Sequence, residues 1–403
     1  MRPSSPTGEP HLTDSGRDLS VLGATLLALG LGEELWQSYL PAYITALGGT
    51  AAAVGVFASC RDLLDGLYQL PGGWFADRYG ARRAVTVFTV CALAGYAAYA
   101  LAWRWPVVLI GLAGAMAWKA GAFPATFSLI GDRLPRGARV SGFTVQSLAV
   151  RAPRVVSAPL GGLLVWHLGL VAGLRTAMGA SVVLALGAVV AQHVWFPRTR
   201  VDARPSRARL KVLTPLPPAL IRLLVADCFV RIGEAVAASF IVLYVTSIRH
   251  LPLPWFGALY GMQQLVALAS YLPAARAVTA VGPRALVAVS FTCFALFPLA
   301  VLAAPGLSGL VVAFVVGGLK EFGEPARKAS IVDGCRADAR AREVGLYYTV
   351  RNLLVVPAGI VGGLLWQQSP GLALAVAGIT SAAGLVVFGV TSCARATQSR
   401  LGA

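Results

Sequence analysis

Charge is what this sequence has least of. Asp, Glu, Lys and Arg make up 13% of its 403 residues, while 57% are hydrophobic. A soluble domain of ordinary composition carries about 25% charged residues, so a chain this apolar has lipid for most of its solvent. Lysine is nearly absent: there are four, and the remaining basic residues are arginine. The six cysteines form no CxxC pair and no metal-ligand spacing, and most lie in apolar runs where cysteine is a small filler. The four histidines are scattered. No Ser-His-Asp or HExxH grouping occurs, and no Gly-rich phosphate loop joins a strand to a helix. These absences exclude the common enzyme chemistries and give no reason to expect a metal or cofactor.

What is abundant is apolar run length. A membrane-spanning helix needs about 20 mostly apolar residues, because it rises roughly 1.5 Å per residue across roughly 30 Å of hydrocarbon. Twelve such runs can be read, at 19–45, 51–75, 84–103, 106–131, 140–166, 176–195, 218–247, 255–275, 285–304, 307–327, 344–366 and 371–392. Residues 1–18 are a polar tail without the form of a removable signal peptide. The expected fold class is an all-α membrane protein with twelve transmembrane helices.

The formal net charge of +17 raises the question of nucleic acid, and its distribution answers it. If the N-terminus is cytoplasmic, one set of connections holds most of the basic residues, among them Arg78, Arg82, Arg133, Arg200, Arg284 and Arg340; the opposite set holds Arg104, Arg175 and Arg249. That is the positive-inside pattern. It implies cytoplasmic termini in a multi-pass cell-membrane protein, with the bilayer and not nucleic acid as the partner of the basic charge.

The chain also repeats itself. At a shift of 201 residues, Lys119, Pro124, Ala125, Ile130 and Asp132 meet Lys320, Pro325, Ala326, Ile331 and Asp333, and Gly32-Glu33 meets Gly233-Glu234. Random apolar sequence rarely aligns Lys, Glu, Pro and Asp in one register. The reading is of two pseudo-symmetric six-helix bundles, 19–196 and 218–393, joined by the Arg- and Pro-rich linker 197–217 and followed by a tail at 394–403.

Polarity is unevenly shared among the runs. The third, ninth and twelfth carry no charged residue and suit a lipid-facing position. Others bury ions, each of which is costly in hydrocarbon unless paired or wet. In the first run Glu33, Trp36 and Gln37 fall at i, i+3, i+4, one helical face. Asp227, Arg231 and Glu234 fall at i, i+4, i+7 in the seventh, and Lys320, Glu324 and Arg327 repeat that spacing in the tenth. Ser147, Arg151 and Arg154 repeat it in the fifth, and Arg61 and Asp65 are i, i+4 partners in the second. Such charges can act as glue between helices or as a solute site; glue alone does not need so many.

Residues 72–83, GGWFADRYGARR, resemble the signature between the second and third spans of the major facilitator superfamily. Gly73, Ala76, Asp77, Arg78, Gly80, Arg82 and Arg83 match it; Phe75 replaces the usual Leu, and Ala81 departs from the first basic position. Read as a loop, it places glycines at a tight turn, with Asp77 and the arginines relaying charge to helix ends. A second copy at 275–284 keeps Gly282 and Arg284 but has Thr279 for the Asp. Two other patterns of that superfamily are altered. The fourth-span arginine falls at Leu112, and the exporter-type fifth-span motif is reduced to Ala158-Pro159-Leu160-Gly161-Gly162. The phrases GEELW, RDLLDGLYQLPGGW and LKEFGEPARKA are similar to a poorly characterised bacterial branch.

The resemblance implies a secondary transporter that moves a small organic solute by alternating access; proton coupling is the leading expectation, efflux as a drug or metabolite antiporter is one direction it can take, and a monomer is expected. The alternatives are an importer or uniporter of a zwitterionic or anionic metabolite, and a membrane sensor that moves nothing. Candidate solute and proton residues are Glu33, Trp36, Gln37, Lys119, Asp227, Arg231, Glu234, Lys320, Glu321 and Glu324. Lys119 and Lys320 are repeat mates, and lysine, unlike arginine, can lose its proton when desolvated. Candidate gating and interdomain residues are Asp62, Asp65, Asp77, Arg78, Arg82, Arg151, Arg154 and Arg351, with Asp62 or Asp65 expected to pair with Arg351 across the halves in one state of the cycle.

Overall fold

The computed structural model describes residues 27–79, 81–118, 139–195, 216–336 and 340–401. Everything regular among them is helical, as a bilayer requires of a chain that satisfies its backbone groups locally. Helix α1 (residues 27–34) gives way to a 3₁₀ turn at Gln37–Tyr39 and then to α2 (Leu40–Ala46). There follow α3 (Ala51–Tyr79), α4 (Ala81–Ala100), α5 (Trp105–Ala115), α6 (Arg139–Leu168) and α7 (Leu170–Trp195). The second half of the chain contributes α8 (Pro218–Ala238), α9 (Leu253–Ala303), α10 (Gly306–Leu319), α11 (Glu324–Gly334), α12 (Arg340–Gln368) and α13 (Pro370–Leu401). Between α8 and α9 a short helical piece, Ile241–Leu243, runs into a π turn at Tyr244–Ile248.

Six of the described helical stretches are long and apolar enough to cross a membrane. One of them, α9, has 51 residues, or about 77 Å at 1.5 Å per residue, too long for one crossing. Its backbone turns at Gly282, where φ is 80° and ψ is 159°, a conformation open to glycine and closed to most other residues. Pro283 then starts the second arm. The apolar surfaces of α7 and α13 suit a lipid boundary: Val183, Val190 and Val194 on one, and Ile379, Val386 and Val390 on the other, are exposed.

Two expectations need correction here. The stretch 72–83 is not a loop, since α3 stays helical through Tyr79 and α4 resumes at Ala81. Asp77 and Arg78 therefore belong to the last turn of α3, and Arg82 to the first turn of α4. The first and tenth runs are also not continuous helices. The backbone leaves the α conformation at Leu35–Tyr39 and again at Lys320–Gly323. Pro325 at the start of α11 accounts for the second break, because it cannot donate to a continued helix and its ring crowds the preceding turn.

Close packing ties the halves together at the end of the bundle bearing the turn 47–50. Helices α3 and α12 approach so nearly that a Cβ on Gly55 would stand 2.5 Å from the Gly359 carbonyl oxygen, and Ile360 N–H donates to Ser59 Oγ at 3.0 Å. Between α6 and α9 the tight neighbours are Pro159 and Gly261. Within each half, the same end is laced by side chain to carbonyl bonds. Tyr43 donates to Tyr99 O at 3.1 Å and Arg175 to Ala102 O at 2.7 Å, while Arg249 donates to Leu302 O at 2.9 Å.

The α4–α5 contact makes a direct test of this packing. A Cβ on Gly95 would stand 2.6 Å from Gly111 O, and backbone cannot yield as a side chain can. Gly95→Val is expected to destabilise by about 1–3 kcal/mol, the usual range for overpacking, and to lower the melting temperature in detergent. Gly389→Ala, at an open position on α13, is expected to leave it unchanged or slightly raised.

Candidate functional site

The helix breaks converge on a central cavity of about 340 Å³, within the size range of small-molecule sites. Irregular backbone at membrane depth is tolerated where it is buried in protein or lines a cavity, and the segments 35–39, 239–241 and 320–321 all contribute to this wall. Three groups of ions surround or underlie the cavity.

The first is built on α1. Glu33 Oε2 accepts from Trp118 Nε1 at 3.0 Å and from Tyr96 OH at 3.5 Å. Next to it Glu34 meets Arg154 Nε of α6 at 2.7 Å. Trp36 turns its indole N–H to Ser181 Oγ of α7 at 2.8 Å. Gly32 lets the two helices close on each other, since a Cβ there would stand 3.0 Å from that same Ser181 Oγ. In the second half Gly233 of α8 packs in the same manner on Ser381 of α13.

The second group is built on α8, whose i, i+4, i+7 spacing holds as read. Glu234 accepts from Lys320 Nζ at 2.6 Å and from Arg231 at 2.5 Å. The two cations also lie over Phe294, at 5.3 Å for Arg231 and 5.1 Å for Lys320, and Lys320 lies 5.5 Å from the Phe297 centroid. Such contacts hold a partly desolvated cation from its non-carboxylate side. One turn back Asp227, fully buried, is shared by Arg327, by Arg351 at 3.5 Å, by Tyr347 OH at 3.1 Å and by Arg231 at 4.0 Å.

The third group crosses between the halves. Arg151 of α6 reaches Glu321 at 2.7 Å and Glu324 at 3.2 Å, at the break between α10 and α11. It also donates to Gln264 Oε1 at 2.9 Å and to Tyr271 OH at 2.5 Å, both on α9. Glu324 is held in turn by Lys328 at 2.9 Å and by Tyr271 OH at 2.7 Å. A second crossing runs from Asp65 of α3 to the Asn352 amide of α12 at 2.8 Å.

The cavity wall therefore brings together Glu33, Trp36, Gln37, Arg231, Glu234, Lys320 and Glu321 of the sequence-predicted residues. Asp227 and Glu324 stand behind it, holding its cations. Lys119 lies outside the described residues. Arg151 and Arg154, read from sequence as gating residues, sit in the cavity wall. Arg351 goes to Asp227 and to its neighbour's Asn352 Oδ1 at 2.9 Å, so Asp65 meets it only through the Asn352 amide. Asp62 pairs with the adjacent Arg61 at 3.5 Å, which replaces the expected Arg61–Asp65 pair. Lys320, Glu324 and Arg327 do not share one face of one helix, because the break at 320–323 intervenes; they pair with Glu234, Arg151 and Asp227 respectively. Sequence reasoning missed Gln264, Tyr271 and Asn352, which carry no charge and do not fall at helical spacing with the charged candidates on one face. The partner of Arg154 is Glu34, which the sequence-predicted set does not contain.

Comparison with known proteins adds the family context. The family model described as Major Facilitator Superfamily matches residues 22–229. An uncharacterized MFS-type transporter of Methanocaldococcus jannaschii is 20% identical, with 89% of this chain and 91% of the relative covered. A chloramphenicol efflux pump of Mycobacterium tuberculosis is 26% identical, covering 96% of this chain and 94% of the relative. Among solved structures, the human organic anion transporter MFSD10 superposes with a TM-score of 0.71 at 14% identity, over 94% of this chain and all of that one; that likeness is one of fold.

Asp227 is the anion whose loss has the largest expected effect. Removing one partner from a buried ionic group typically destabilises by about 3–5 kcal/mol, because the remaining charges are left unpaired. Asp227→Ala is expected to lower the melting temperature sharply, and Arg327→Met added to it should not restore stability, since Arg351 still lacks its partner. Melting of Asp227→Ala at the wild-type temperature would show that the group is not a structural hub.

Proposed function

Because the chain belongs to the Major Facilitator Superfamily, we propose that it is a proton-coupled secondary transporter that exports a small organic solute through the central cavity. The observation that carries this reading is Glu234, clasped by Lys320 and Arg231 at a break in the helical wall. A carboxylate between two cations holds no proton. If the cations move away, the same carboxylate left in an apolar surrounding takes one up. A conformational change that separates Lys320 from Glu234 would thus bind a proton on one side and release it on the other. Glu33 and Glu321, in the same wall, are the further carboxylates able to take part.

We read the architecture as twelve spans in two pseudo-symmetric six-helix halves that rock about the cavity, working as a monomer with both termini in the cytoplasm. The sequence repeat supports this, as does the matched packing of Gly32 on Ser181 and Gly233 on Ser381. On that topology the tightly packed 47–50 end faces outward, so the conformation described is closed to the outside. Efflux is favoured by the likeness to a chloramphenicol efflux pump.

The test uses proteoliposomes with an imposed pH gradient and a panel of organic solutes that includes chloramphenicol. At least one should move in a gradient-dependent way, and Glu234→Gln or Glu33→Gln should reduce that flux about tenfold or more, equivalent to about 1.4 kcal/mol in the coupled step. Flux unchanged in both folded variants, or surviving collapse of the gradient by an ionophore, removes the coupling role.

A further inference from the structure

Charge matching in the cavity wall is uneven, and the remainder identifies a ligand class. Five described cations line the cavity: Arg61, Arg151, Arg154, Arg231 and Lys320. Four of them have a carboxylate oxygen within 2.7 Å, namely Arg151 on Glu321, Arg154 on Glu34, and Arg231 and Lys320 on Glu234. Arg61 does not. Its nearest carboxylate is the next residue, Asp62, at 3.5 Å, and its side chain is 31% exposed. Consecutive helical residues do not face each other, so the guanidinium keeps most of its donors for the cavity.

Two further polar atoms lie beneath the surface of the same wall. Arg231 Nε and Gln37 Oε1 are buried without a hydrogen-bond partner. A cationic solute, by contrast, finds each cavity carboxylate already engaged. Glu34, Glu234 and Glu321 hold arginine or lysine, and Glu33 accepts from Trp118 and Tyr96. Rings also line the wall, Phe57, Phe256, Tyr260 and Phe294 among them, and aromatic faces suit planar apolar bodies.

We propose that the solute is an aromatic organic anion whose carboxylate docks on Arg61, with its ring against the aromatic wall. A planar oxyanion matches the guanidinium fork with two parallel hydrogen bonds, which a lysine at this position could not provide. Asp62 holds one guanidinium nitrogen of Arg61 at 3.5 Å, which leaves the other donors of the fork for the ligand. This inference rests on reading the cavity as the solute site and adds to it the charge of the solute and the residue that selects it.

Three probes that share a ring and a phenol but differ in charge make the test: 4-hydroxybenzoate, 4-hydroxybenzamide and 4-hydroxybenzylamine. Each is titrated into the purified full-length protein by calorimetry, with thermal shift in parallel. The anion should bind and raise the melting temperature, while the amide and the amine do neither. Arg61→Gln should weaken anion binding about tenfold or more, a change of about 1.4 kcal/mol. Arg61→Lys keeps the charge but not the fork, so it should bind with intermediate affinity; it carries the test if the glutamine variant fails to fold.

Equal binding of amide and benzoate, preference for the amine, unchanged affinity in the folded Arg61 variants, or no binding of any of the three overturns the assignment. Flux separates the two readings. Solute transport without anion preference would sink the anion site and leave the carrier standing. Anion binding at Arg61 with no flux of any solute would do the reverse.

Discussion

An ion inside a bilayer must find its counter-ion within the protein, and that constraint organises the interior of this molecule. An unpaired charge in hydrocarbon costs at least several kcal/mol, a large part of the whole stability of a domain. The described interior meets the constraint by sharing. Asp227 serves Arg327, Arg351 and Arg231; Glu234 serves Lys320 and Arg231; Arg151 serves Glu321 and Glu324. Shared partners make the network cooperative, so a change at one carboxylate alters the pairing of several cations. They also bind helices far apart in sequence into one unit, since α8, α11 and α12 all meet at Asp227.

The same constraint explains why the helices break where they do. A continuous helix turns residues four apart to one side, which would send Lys320 and Glu324 to the same neighbour. The break at 320–323 lets Lys320 reach Glu234 of its own half, while Glu324 turns to Arg151 across the interface. At the other wall, the departure from α geometry after Glu34 brings Trp36 to Ser181, and Glu33 and Glu34 keep separate partners. Irregular backbone is here the means by which closely spaced ions reach different counter-ions.

Much of the fold could be read from the sequence because hydropathy is a strong signal over 20 residues and polar residues stand out in an apolar background. That is how Glu33, Arg231, Glu234 and Lys320 could be picked out together before any geometry was known. Pairings across more than a hundred residues were not legible: nothing local links Glu34 to Arg154 or Arg151 to Glu321. Periodicity misled where backbone ceased to be regular, giving one face to Lys320, Glu324 and Arg327. The break was foreshadowed by Gly323 and Pro325, but a proline near a helix start reads the same as one at a kink until its partners are seen. The 72–83 stretch misled in the opposite direction. Its three glycines suggest a loop, yet the backbone stays helical as far as Tyr79.

Contacts between the halves are of two kinds, and they respond differently to charge. At the 47–50 end the halves meet through Gly55, Gly359, Gly261 and Pro159, where small residues and dispersion set the fit and no ion is involved. Elsewhere between the halves the contacts are polar, Arg151 of α6 to Glu321 and Glu324 at the α10–α11 break, and Asp65 of α3 to Asn352 of α12. Parting the apolar contacts forfeits packing alone. Parting the polar ones strands an arginine in a low-dielectric interior, which is prohibitive unless another anion takes its place or its carboxylates are neutralised by protons. In the proposed transport cycle, movement about the cavity would be tied to ion occupancy at one set of contacts and free of it at the other. A scaffold of this kind can remain shut by default and still yield when the charge inside it changes.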